Sequence, residues 1–289
     1  MVSCLQVDDI GSNLQGCDGG TYIGNVELRS QQDVIEFGAN DYTKIDGNLK
    51  LIDEDEPDDK IVDLTPLNCL TEIVAETNLN NVAASLYIQT TDLRSLAGLE
   101  NLTNVGKLRL IKNRSLLTLD GLIGLTSISS ENHGENLLKI KDNLSLLNID
   151  GLENLQTVGR VNYDSDVIIV GNYVLQNIDG LQGLSTIGSS ESEHTYNSEL
   201  FVVSNEVLDN IDGLSNLMYV RRAHFVSVNP GVAGGFFVFG NNNINSFCGI
   251  KNLLVNGYYE YFINDGYPND NYSGFAPTAQ DIIDGNCAQ

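Results

Sequence analysis

Residues 138–158 read LKIKDNLSLLNIDGLENLQTV, and this stretch decides the fold. Leu138 and Ile140 alternate with Lys139 and Lys141, the period-two pattern of a strand with one face inward. Asn143 follows, then Leu146, then Asp150-Gly151-Leu152, then the aliphatic series Leu152, Leu155 and Val158. Neither half of the stretch can bury its own apolar side chains, so the segment implies copies of itself stacked on either side.

Those copies are present. Asp120-Gly121-Leu122, Asp179-Gly180-Leu181 and Asp212-Gly213-Leu214 repeat the tripeptide, with Ala97-Gly98-Leu99 and Cys248-Gly249-Ile250 as altered versions. The glycines at 98, 121, 151, 180, 213 and 249 are 23, 30, 29, 33 and 36 residues apart, so the shortest unit has 23 residues and the others carry insertions. Aligned on them, the alternating pairs are Leu108/Leu110, Leu138/Ile140, Val167/Ile169, Leu200/Val202 and Phe236/Val238. Asn113, Asn143, Asn172, Asn205 and Asn241 follow at a turn, where stacked amides are expected to bond the backbone of the next repeat. The glycine suits a corner that needs positive φ or a close backbone approach.

The same phase points Arg109/Ile111, Lys139/Lys141, Ile168/Val170, Phe201/Val203 and Phe237/Phe239 outward. Six apolar side chains beside a basic strip, at a strand spacing of about 4.8 Å, form one continuous outer surface. Such surfaces often mark contacts with partners. These ten residues are the candidate partner-binding set.

Composition narrows the function. With 15 Lys+Arg against 39 Asp+Glu among 289 residues, the formal charge is -24. That field disfavours nucleic acid and anionic membranes as partners. No apolar run approaches the roughly 18 residues of a transmembrane helix. No Gly-x-Ser-x-Gly elbow, Walker loop or His-Glu-x-x-His motif occurs, so no enzyme activity and no cofactor are expected.

The repeats resemble the leucine-rich-repeat class, and more specifically the receptor L domain, a right-handed β-helix of insulin-receptor and bacterial surface proteins. Val26–Ser30, a helical stretch at Gln31–Phe37 and the strand around Ile45-Asp46-Gly47-Asn48-Leu49 are similar to that family's N-terminal cap. The resemblance implies a mainly β solenoid over 17–289, with an N-terminal cap at 17–63, coils at 64–250 and a C-terminal cap at 251–289. It also implies an extracellular or cell-surface protein that binds a protein or glycan. The alternative is a structural or adhesive module that forms a homodimer through the apolar strip.

The last stretch, Pro277-Thr278 to Gly285, reads as a capping helix started by Pro-Thr and stopped by glycine. A Cys248–Cys287 bridge would pin it and imply an oxidising compartment. Cys69, among Leu67, Leu70 and Ile73, is expected to be a buried free thiol. Cys4 has two readings: a partner of Cys17, or the lipid anchor of a mature outer-membrane lipoprotein tethered by residues 1–16. The N-terminus shows no positively charged apolar leader, and the expectation is a secreted chain from which it has been removed.

The insertions Ser129–Asn136, Arg160–Asp166, Ser189–Glu199 and Arg221–Gly235 hold all three histidines, His133, His194 and His224. They read as solvated loops and not as a metal site. The acidic runs Asp53–Asp59 and Asn264–Asp270 lack the spacing of a calcium loop. Of the sequons at Asn101, Asn113, Asn143 and Asn271, only Asn271 sits on an evident loop.

Overall fold

A computed structural model of the chain describes residues 16–53, 59–75, 84–129, 137–159, 165–188, 198–220, 236–258, 262–263 and 277–289. Two parallel sheets dominate it. The wider sheet has nine strands: Val26–Leu28, Leu49–Ile52, Ser85–Gln89, Lys107–Ile111, Leu138–Lys141, Val167–Val170, Leu200–Val203, Phe236–Phe239 and Phe262–Ile263. The narrower has eight strands of two or three residues: Thr21–Ile23, Lys44–Asp46, Glu72–Val74, Asn104–Val105, Ser127–Ile128, Thr157–Val158, Thr186–Ile187 and Tyr219–Val220. Up to Phe236–Phe239 the strands alternate between the two sheets along the chain, and neighbours in a sheet come from successive repeats. The protein is therefore mainly β, a repeat architecture compatible with a β-solenoid. Both sheets begin before residue 64, within the segment read as a cap.

Between the sheets lies an aliphatic core. Leu108, Leu110, Leu138, Ile140, Val167, Ile169, Leu200, Val202 and Val238 are all fully buried on the inner side of the wider sheet. Opposite them, Val105, Ile128, Val158 and Ile187 fill the inner positions of the narrower sheet.

The Asp-Gly-Leu tripeptides form 3-10 turns at Asp120–Leu122, Asp150–Leu152, Asp179–Leu181 and Asp212–Leu214. Their glycines are required by proximity. A Cβ on Gly151 would lie 1.8 Å from the Leu119 carbonyl oxygen, and one on Gly180 would lie 1.9 Å from that of Ile149. Of the six aligned glycines only Gly98 has positive φ, so of the two expected reasons it is the close backbone approach that holds for the others, and a left-handed corner lies elsewhere. It falls one residue before the ladder asparagines, at Lys112, Asp142, Gly171, Ser204 and Gly240.

The asparagines form a buried ladder. The Asn143 side-chain amide donates to the Leu110 carbonyl at 2.9 Å, while its own backbone N–H donates to Asn172 Oδ1 at 3.1 Å. Asn113, Asn172 and Asn205 repeat both bonds with their neighbours, and Asn241 accepts from the Asn205 N–H at 2.9 Å. All five are fully buried, which leaves no room for glycan on Asn113 or Asn143. Thr91 caps the ladder, donating from its hydroxyl to Asn113 Oδ1 at 2.9 Å.

Both ends are tied down. Near the N-terminus, the helix Gln31–Gly38 starts at Ser30, whose hydroxyl accepts from the Asp33 N–H at 3.1 Å. Near the C-terminus, the helix Ala279–Asp284 has a reciprocal cap between Thr278 and Asp281 and stops at Gly285, φ 95°. A disulfide joins Cys248 to Cys287. Cys69 is not a free thiol and Cys17 is not the partner of Cys4, because Cys17 and Cys69 form a second disulfide. The reason is stacking. Backbone bonding of Gly19 to Asp41 and of Thr71 to Thr43 lays the segment around Cys17 and the Cys69 turn on either side of one repeat edge, with the two Cα atoms 5.3 Å apart. Cys4 lies outside the described residues.

Candidate functional site: the outer face of the wider sheet

Inward burial of every second residue forces the others outward, and strand register lines them up. One column runs Glu27, Lys50, Tyr87, Arg109, Lys139, Ile168, Phe201 and Phe237. The next runs Ile52, Gln89, Ile111, Lys141, Val170, Val203 and Phe239. The ten residues singled out from the sequence thus occupy one surface, each half-buried by its neighbours. Glu27, Lys50, Tyr87, Gln89 and Ile52 extend it toward the N-terminus. Sequence alignment missed them because these earlier repeats lack both the ladder asparagine and the Asp-Gly-Leu turn. The alternation Leu86/Ile88 before Thr91 is the signal that could have found them.

The surface changes character along its length. At the N-terminal end charges are paired: Glu27 lies 2.8 Å from Arg29 and 3.4 Å from Lys50. The Tyr87 hydroxyl donates to Gln89 Oε1. In the middle, cations crowd. Arg109 pairs directly with Lys139 across the register, and its Nε is buried with no hydrogen-bond partner among the described residues. Burial first, then Lys141 and Arg109, push the Lys139 ammonium below its ordinary range, opposed by Asp142 and Asp166. Lys141 Nζ is 3.9 Å from Asp142 Oδ2. Toward the C-terminal end the face is apolar, and the Phe201 and Phe237 rings stack with centroids 4.6 Å apart and planes 10° apart.

Beside the cationic strip, at the turn edge, a cleft of about 460 Å³ is lined by Thr91, Asp92, Lys112, Arg114, Asp142 and Leu144, among others. Lys112 and Arg114 were not singled out from the sequence. They sit on a turn, where no periodicity shows which way a side chain points.

Asp120, Asp150, Asp179 and Asp212 occupy equivalent turns of successive repeats. Asp53 has a fully buried side chain 3.8 Å from Lys60 Nζ, and burial pushes its carboxyl above the usual range. Among the described residues no group of three or more His, Cys, Asp or Glu is placed to hold a metal ion. The three histidines, Asn271, the acidic run at 54–58 and the tail loop at 264–270 lie outside the described residues. No helix among the described residues is long and apolar enough to cross a membrane.

No family model matches the chain, and neither a curated protein nor a solved structure matches it significantly.

Proposed function

We propose that this is a non-catalytic recognition protein of the receptor L-domain type, working outside the cell or at its surface, which binds a protein or glycan through the outer face of the wider sheet. One observation carries the reading: three successive strands present Ile168/Val170, Phe201/Val203 and Phe237/Phe239 in register on a face where water would favour polar side chains. A rigid repeat scaffold suits recognition because the contact side chains are ordered before the partner arrives. Two disulfides among the described residues support an oxidising compartment. The strand, helix, strand order at residues 26–52 supports the L-domain assignment.

Replacing Phe201 and Phe237 together by Ser tests the reading. Both are half-buried, so the double variant keeps its fold by circular dichroism. It loses binding in a screen of glycans and surface proteins that the unaltered chain passes. Unchanged binding by the folded variant refutes the face. If size-exclusion chromatography with light scattering finds a dimer that the variant abolishes, the face serves self-association and the protein is an adhesive module.

A further inference from the structure

Six of the fifteen Lys and Arg residues of this strongly acidic chain fall at positions 107, 109, 112, 114, 139 and 141. The register sets Arg109 and Ile111 against Lys139 and Lys141, and the next strand adds Ile168 and Val170. Lys141 Nζ lies 3.9 Å from Asp142 Oδ2, and the Arg109 Nε is buried without an acceptor among the described residues. Crowding like charges on a half-buried face costs stability, and a partner that brings carboxylates relieves that cost.

We infer that the face recognises a protein partner that sets acidic side chains beside apolar ones, with Arg109, Lys139 and Lys141 taking the carboxylates and Ile168, Phe201 and Phe237 taking the apolar groups. The inference rests on the recognition reading above and adds the chemistry of the ligand.

Two observations favour protein over acidic polysaccharide. Sugar binding uses an exposed aromatic ring face with planar polar side chains beside it. Phe201 and Phe237 lie face to face, so each covers a ring face of the other. From Arg109 onward the two columns contain only Arg, Lys, Ile, Val and Phe, with no Asn, Gln, Asp, Glu or Ser. Such a mixture of aliphatic and aromatic side chains matches the apolar centre of a protein interface. A two-fold pairing of this face with a second copy would offer these cations no free carboxylate from the two columns, because the acid there, Glu27, already pairs with Arg29 and Lys50.

The test selects peptides from a random 12-residue display library on the full chain. Binding of the recovered peptides is then measured on the unaltered chain and on R109E/K139E/K141E, R109Q/K139Q/K141Q and F201S/F237S, each checked for fold. The expected result is enrichment of Asp or Glu flanked by Leu, Ile, Phe or Tyr. Affinity should fall at least tenfold in the glutamate variant, less in the glutamine variant, and at least tenfold in F201S/F237S. Raising sodium chloride from about 50 to 500 mM should weaken binding several-fold. A library that stays unenriched, peptides without acidic bias, or tighter binding of polygalacturonate overturns the acidic-protein assignment. So does self-association abolished by the glutamate variant. Binding lost in F201S/F237S but untouched by the glutamate variant refutes the charge chemistry and leaves the recognition face standing. Binding that ignores both sets of substitutions removes both.

Discussion

Gly180 shows how little freedom a stacked repeat leaves a single residue. Its missing side chain is where the Ile149 carbonyl of the preceding repeat sits, so a methyl group there must displace main chain and not a flexible neighbour. Gly180→Ala should destabilise the protein by about 1–3 kcal/mol, the range for overpacking, read as a lower denaturant midpoint with unchanged slope. Beside it, burial and then the neighbouring Asp150, Asp212 and Asp209 push the Asp179 carboxyl above its ordinary value. A raised carboxylate pKa means that the folded state binds the extra proton. Stability therefore falls as pH rises from the unfolded value, about 3.9, through the raised folded value, and the full penalty is present at neutral pH. Asp179→Asn should stabilise the protein at pH 7 by up to about 1 kcal/mol, the scale of a partly exposed charge interaction. The gain should vanish below pH 4. A gain independent of pH would show that charge is not the cause.

At the scale of elements, the ends of the sheets need closing because the final repeat has no neighbour to cover its core. The helix Ala279–Asp284 buries Ile282, and the Cys248–Cys287 disulfide, 39 residues apart in sequence, holds that helix to the last 3-10 turn. Replacing both cysteines by Ser should cost about 2–4 kcal/mol and raise amide exchange first in residues 236–250. Exchange that rises uniformly along the chain would instead point to a single cooperative unit. Much of this element was legible in the sequence, since Pro-Thr, the acid at Asp281 and Gly285 are local signals. The Cys17–Cys69 bridge was not. It depends on the segment around Cys17 lying beside a turn 52 residues later, and Cys69 among aliphatic neighbours looks the same whether paired or free. The strands of the narrower sheet were equally hidden, because two-residue segments such as Thr157–Val158 are too short to show alternation.

Across the whole molecule the acidic excess sets a repulsive background. With a formal charge of -24, raising sodium chloride from about 10 to 200 mM should raise the melting temperature by screening that repulsion. A melting temperature independent of salt would mean that local pairing already neutralises the acids. The candidate face is the exception in this field, a cationic and apolar band on an anionic body. Its membership was readable from residue 107 onward, where alternation and the ladder asparagine keep one phase through five repeats, four of them followed by an Asp-Gly-Leu turn and the fifth by Cys248-Gly249-Ile250. Those patterns alone settled the parallel stacking, the buried ladder and which side chains face out, because each is imposed by chemistry that recurs within a single repeat. Only the tertiary structure decided the second sheet, the Cys17–Cys69 bridge, the Thr91 start of the ladder and the place of Lys112 and Arg114 beside the strip. Each of these depends on which distant segment stacks on which, and contacts between repeats leave no period within one.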